Sequence, residues 1–176
     1  MAIPLKRMQR LMANAAVTPS AIRGGRKAVK GVQRAAIEFL CRVDLARAGD
    51  AASYAVFLDQ ATEKLRRAFP RRARHWGRAR KCVNIFMRAC SYNFLLRKRF
   101  KLRRLDAILE TPLDRFVADG LNRDARRETL PRWRAIIHLT PEDNAAFQAA
   151  AAKIARRKYR TYRAHLDLWY WRAQMK

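Results

Sequence analysis

The sequence predicts an all-α protein, a compact bundle of roughly eight helices. Three observations predict the helical class. Apolar residues recur at intervals of three and four along most of the 176-residue chain. Strand-like alternation is nearly absent; "RAIIHL" at 134–139 is the one short candidate, and it reads equally as a helical turn. Half of the residues are hydrophobic, which supports a real core and argues against wholesale disorder. The length suits one domain and hardly two.

Residues 1–23 carry several bases and no acid, the first acidic residue being Glu38. This stretch is expected to be a basic N-terminal arm; it reads equally as a phosphate-contacting or loosely ordered segment and as an organellar transit peptide. Gly24 and Gly25 break the chain, and a single domain is expected over 24–176. Val29, Val32, Ala36, Phe39, Leu40 and Val43 make the first helical stripe. Tyr54, Phe57, Leu58, Ala61, Leu65 and Phe69 make the second, with Asp50 as its expected N-cap and Pro70 as its end. Val83, Phe86, Met87, Cys90 and Phe94 make the third, starting just after Gly77. Shorter helical pieces are expected at Leu102–Leu109 and Leu113–Leu121. Pro141, Glu142 and Asp143 open a long Ala-rich helix. A last helix carries Tyr162, His165, Leu166 and Trp169.

The net charge is +26. A folded chain with that charge repels itself unless a polyanion offsets it, and nucleic acid is the first candidate. The bases are concentrated: Lys64–Leu105 holds 16 Lys or Arg in 42 residues and no Asp or Glu. That run spans a break between two helices, "PRRARHWGRARK". A helix start offers backbone N–H groups to an anion, so Arg71, Arg72, Arg74, Arg78 and Arg80 are expected to grip phosphates there. No apolar run approaches the roughly 20 residues of a membrane-spanning helix, and no signal-peptide core is present. A membrane-surface role fits less well, since no helix stands out as an interfacial anchor. Cys41, Cys82 and Cys90 lack paired metal-ligand spacing and are read as small core residues in a reducing compartment. No metal site or cofactor is expected.

The stretch "GRARKCVN" at 77–84 resembles the hairpin and second-helix start of the helix-hairpin-helix DNA glycosylases, whose pattern in the endonuclease III branch is G-x-G-R-K-x-x-N. Gly77, Arg80, Lys81 and Asn84 match it in place, and Ala79 stands at the second glycine. "PLDRFV" at 112–117 resembles that family's P-V-D-x-x-V segment, with Asp114 at its catalytic aspartate. The separation of 114 − 81 = 33 residues is closer to the archaeal 8-oxoguanine DNA glycosylase branch, as is an Asp and a Trp one helical turn apart near the C-terminus, here Asp167 and Trp171.

The resemblance implies a hairpin near 70–84, Lys81 as nucleophile and Asp114 as its assisting carboxylate. It also implies backbone contacts from Arg74, Gly77, Arg78, Ala79 and Arg80. A lysine attacks C1′ of a nucleotide only as the free amine; neighbouring cations, a helix start and partial burial all favour that form. A nearby carboxylate stabilises the oxocarbenium-like sugar, and the Schiff base that follows permits strand nicking by β-elimination. The target base must first leave the stack for an aromatic-lined site. Trp133, Trp169, Tyr170 and Trp171 are candidates to supply faces, and Asp167, His138 and His165 to supply edge hydrogen bonds. Trp169 and Trp171, two residues apart, point to different helix faces, so one is expected in the core.

The expected function is therefore a DNA glycosylase with Schiff-base AP-lyase activity, acting as a monomer on double-stranded DNA, without an obligate protein partner, in the cytoplasm at the nucleoid or in an organelle. The excised base is an oxidised purine or a bulkier modified base, in repair or in defence against viral DNA. The alternative is a non-enzymatic basic helical protein of ribosomal type, in which Lys81 is one more phosphate contact.

Overall fold

The computed structural model describes residues 4–22, 29–125 and 129–172. Among these, all regular structure is helical and no strand is present, so the all-α bundle is what the chain forms. The Gly24–Gly25 break lies outside the described residues. "RAIIHL" resolves as a 3₁₀ turn, Ile136–His138.

The N-terminal segment is not a loose arm. Helix α1 (Leu5–Ala16) buries Gln9, Ala13 and Ala16, and a short helix α2 (Pro19–Ile22) follows. The Gln9 amide donates to the carbonyls of Leu40 and Val43, both at 2.9 Å, tying α1 to the end of α3 (Val32–Leu40). The basic residues of α1 lie on its outer side, so its charge is compatible with a buried face.

The first predicted stripe is α3, which holds Val32, Ala36, Phe39 and Leu40 and leaves Val29 and Val43 outside its ends. After α3, Asp44 caps a short α4 (Leu45–Ala48), accepting from the N–H groups of Ala46 and Arg47. Helix α5 (Tyr54–Ala68) follows. Asp50 does not cap it; its carboxylate accepts from Ala52 N and from Ser53 N and Oγ, folding the turn that leads in. Phe69 and Pro70 end α5, and a 3₁₀ turn, Arg71–Ala73, leads to α6 (Trp76–Tyr92).

Helix α6 is the axis of the molecule, buried along most of its length. On one side lies an apolar cluster that includes Leu40, Leu65, Phe69, Phe86, Met87, Leu96 and Leu102. It is drawn from α1 to α6, α7 (Phe94–Arg99) and the 3₁₀ turn Leu102–Leu105. A second cluster, around Leu113, Val117, Leu121, Phe147, Ile154 and Tyr170, joins α8 (Arg115–Asp124), α9 (Pro141–Ile154) and α10 (Leu166–Arg172). Thr140 caps α9 through Asp143 N at 3.1 Å, with Pro141 in the first turn, where its missing N–H costs nothing.

The hairpin turn expected at Gly77 is not formed there, because Gly77 lies in the first turn of a continuous α6. Its role is close packing. A Cβ on Gly77 would sit 2.3 Å from the Ile136 carbonyl oxygen and 2.7 Å from Leu139 Cβ. The bare glycine thus lets the 135–139 segment lie directly on α6. Cys82 and Cys90 are buried and Cys41 is partly so, all as free thiols; burial pushes the Cys82 thiol up to about 12.

Candidate active site

Lys81 occupies the second turn of α6 and is buried, as is most of the helix around it. Its ammonium lies 3.3 Å from Asp114 Oδ2. The same oxygen accepts from the Trp171 indole N–H at 3.2 Å. Asp114 Oδ1 is used differently: it accepts from Val117 N at 3.0 Å and so caps α8. One carboxylate therefore starts a helix with one oxygen and faces the amine with the other. The Trp171 ring meets Phe116 edge to face, with centroids 5.1 Å apart, and both rings are partly exposed.

Asp114 reaches Lys81 because the preceding segment is held at nearly every residue. The Arg163 guanidinium donates to the carbonyls of Ile108 and Leu109 at 2.7 and 3.0 Å. Glu110 is buried and receives both arms of Arg80 at 2.8 Å, together with the amides of Asn84 at 2.9 Å and Asn144 at 3.3 Å. The Gln148 amide pairs with both backbone groups of Thr111, at 3.0 and 2.9 Å. Leu113 is in the core. A chain fixed by backbone and charge-assisted bonds over this run has little freedom left in where it presents Asp114.

A second ion pair lies further along the same face. Arg88, two turns beyond Lys81, pairs with Asp167 of α10. Asp167 is buried, and burial raises its carboxyl above the usual range against the pull of Arg88, with the Asp114 charge adding to the rise. Its Oδ1 has no hydrogen-bond partner among the described residues. Further on, the His165 ring meets Tyr92 of α6 at 5.5 Å and Tyr162 at 6.1 Å, both edge to face.

The predicted base-contacting residues are thus partly gathered. Trp171 and Asp167 flank the Lys81–Asp114 pair, and His165 lies beyond Asp167. Trp133 does not join them. It sits edge-on to Phe147 in a separate cleft of about 350 Å³ with Arg132, Arg134 and His138. Trp169 turns the other way, onto the Tyr159 ring at 5.3 Å, and Tyr170 is a core residue bonded to Asp124 at 3.1 Å.

The expected phosphate contacts need a larger correction. Arg78, Ala79 and Arg80 are buried, because α6 starts before them and turns them inward. Arg78 donates to the Ala73 carbonyl at 2.9 Å. Arg80 is committed to Glu110 and to Asp59, the latter at 2.6 Å, and lies over the Trp76 ring at 5.2 Å. Gly77 is buried against Ile136. Only Arg74 of that set is exposed, beside Arg71 and Arg72, and its Nε donates to the Phe69 carbonyl at 3.0 Å.

Two site residues escape the sequence reading. Arg88 had a signal, since it falls seven residues after Lys81 and hence on the same helix face. Glu110 had a weaker one: it is among the first acids after the long basic run, where buried arginines must find a counter-charge. No group of His, Cys, Asp and Glu among the described residues could hold a metal ion, and no described helix is long and apolar enough to cross a membrane. Comparison of the chain with protein-family models, with curated proteins and with solved structures finds no match.

Proposed function

We propose that the protein is a DNA glycosylase with AP-lyase activity, acting on a damaged or modified base extruded from double-stranded DNA. The observation that carries this reading is the buried Lys81 amine held against the Asp114 carboxylate beneath the exposed Trp171 and Phe116 rings. A lysine serving only to neutralise phosphates stays in solvent and has no reason to be enclosed with a carboxylate and an indole.

In this reading Asp114 Oδ2 takes the proton from Lys81, and the amine's electron pair attacks C1′. The C1′–N bond breaks and its electrons leave with the base. The departing base takes a second proton from nitrogen, and cleavage of the C1′–O4′ bond, with O4′ taking the proton held by Asp114, gives the protonated imine. Removal of a C2′ proton then expels the 3′ phosphate. Trp171 offers a stacking face and Asp167 a carboxyl for the edge of the extruded base. The net charge and the exposed Arg71, Arg72 and Arg74 supply attraction to the duplex.

The test is borohydride trapping on duplexes that carry candidate modified bases or an abasic site. A covalent adduct is expected with the wild-type chain and none with Lys81→Gln. Absence of an adduct, together with base release unchanged by Lys81→Gln, would rule out the Schiff base. If Lys81→Gln then weakens binding no more than Lys98→Gln, the ribosomal-type alternative is the better account.

A further inference from the structure

At its C-terminal end α9 does not stop cleanly. It widens into a π-helical turn, Ala155–Tyr159, and reverses at Arg160, which adopts φ 50 and ψ 44, the left-handed region. The reversal is closed by Thr161 N donating to the Ala155 carbonyl at 3.0 Å. An L side chain takes this conformation rarely and glycine takes it freely. Arg160 and Lys101 are the non-glycine residues with positive φ among the described residues, and Arg160 is the one that lines a cleft.

Beside this turn is a cleft of about 480 Å³ lined in part by Arg156, Arg160, Thr161, Tyr162, Arg163 and His165, with no acidic residue in its wall. The arginines of the wall differ in how they are held. Arg163 is fixed, but its guanidinium donates to carbonyls alone, those of Ile108, Leu109 and Gln148. Arg156 and Arg160 are exposed and have no carboxylate in ion-pair reach among the described residues. Lys158, in the same turn, contrasts with them, pairing with Asp124 at 2.7 Å. Arg156 and Arg160, with the hydroxyls of Thr161 and Tyr162, are the groups a tetrahedral oxyanion would meet in this concave wall, and the arginine fork suits phosphate. The Tyr162 and His165 rings give the cleft an aromatic flank, which favours a nucleotide unit over a bare ion.

His165, in the wall of the cleft, links it to α6. His165 touches Tyr92, and Tyr92 lies on the Lys81 face of α6, eleven residues further along, or about 16 Å at the helical rise. We propose that this cleft holds a backbone phosphodiester of the duplex whose reacting nucleotide lies at Lys81. The inference rests on the glycosylase reading for the identity of the duplex.

The test uses duplex binding, which needs no chemistry. Arg160→Gly removes the guanidinium and suits the left-handed backbone, so the variant folds and its Tm is expected to equal or exceed that of the wild type. Its affinity for a duplex containing a non-cleavable abasic analogue is expected to fall several-fold. The slope of log affinity against log salt should become shallower by about 1, and by about 2 with Arg156→Ala added. Affinity and slope like those of the wild type in the double variant overturn the proposal. Loss of binding to a free nucleoside monophosphate, with duplex binding intact, also overturns it. The two readings fail separately: base release indifferent to Lys81→Gln removes the enzyme while the slope still reports the cleft, and an unchanged slope with Lys81-dependent base release removes the cleft alone.

Discussion

The Lys81 ammonium and the Asp114 carboxylate meet at 3.3 Å across 33 residues of sequence, and the carboxylate's other oxygen caps α8. The two duties can be separated by mutation. Asp114→Asn keeps an oxygen for Val117 N but loses the charge that faces the amine; Asp114→Ala loses both. Base release is expected to fall about 10²- to 10⁴-fold in each, the range for removing an acid–base group. Duplex affinity should change far less. Thermal or urea unfolding should show Asp114→Ala less stable than Asp114→Asn by about 1 kcal/mol, the value of an N-cap. Equal stability of the two variants would mean that the cap is not contributing.

Glu110 predicts an acid-sensitive step. Burial works to raise its carboxyl, but the Arg80 fork and the Asn84 and Asn144 amides outweigh that, and the net direction is downward. A carboxylate depressed in the folded state contributes stability that is complete above its unfolded value. That contribution is lost as pH falls through the folded one. Urea unfolding of the wild-type chain should therefore weaken steadily on acidification below the usual carboxylate range. Glu110→Gln should be less stable at neutral pH by about 3–5 kcal/mol, because Arg80 is left buried without its main partner, and should show a flatter acid limb. Parallel acid limbs in the two proteins would remove Glu110 as the sensor.

Helical periodicity is enough to find α3, α5 and α9, which each bury one stripe, and the later turns of α6, where Val83, Phe86, Met87 and Cys90 are buried. It also placed Lys81 on a core helix. The start of α6 was misjudged by the same logic. The glycine at 77 reads as a turn signal, yet the residue is glycine because Ile136 and Leu139 press on it, a tertiary cause with no local mark. Arg78 and Arg80 are buried for a tertiary reason as well: packing encloses this part of α6, so residues 77–84 are all buried whichever face they occupy. Glu110 and Gln148 were out of reach for a different reason. Their worth lies in partners 30 and 37 residues away, and isolated Glu and Gln residues look like any solvated side chain.

Gly77→Ala puts this contact to the test. The added methyl group meets backbone on one side and a core side chain on the other, neither of which can swing aside. Local propensity would favour alanine inside a helix by about 1 kcal/mol, so a stabilised variant is what a merely helical glycine predicts. The packing predicts the reverse, a Tm clearly below that of the wild type, with hydrogen exchange accelerating in residues 135–139 before the rest of the chain. A Tm equal to or above the wild-type value would show that the 135–139 segment is not seated on α6.

The Arg88–Asp167 pair separates stability from function. Both side chains are largely buried, and Asp167 Oδ1 lacks a partner among the described residues, so the pair is costly to maintain. Removing one member strands the other: Asp167→Leu alone should destabilise by about 3–5 kcal/mol. Replacing both with apolar residues of similar volume, as in Arg88→Met/Asp167→Leu, should leave stability equal or improved, because no charge then needs desolvating. If the unpartnered oxygen is there to meet the edge of an extruded base, the double variant will fold, bind duplex and still form the Lys81 adduct at a plain abasic site. It will release the modified base slowly. Urea unfolding, borohydride trapping on abasic DNA and base release from modified DNA together read these three outcomes. Base release at the wild-type rate in the stable double variant would withdraw Asp167 from the base-binding group and leave Trp171 as its remaining member beside Lys81.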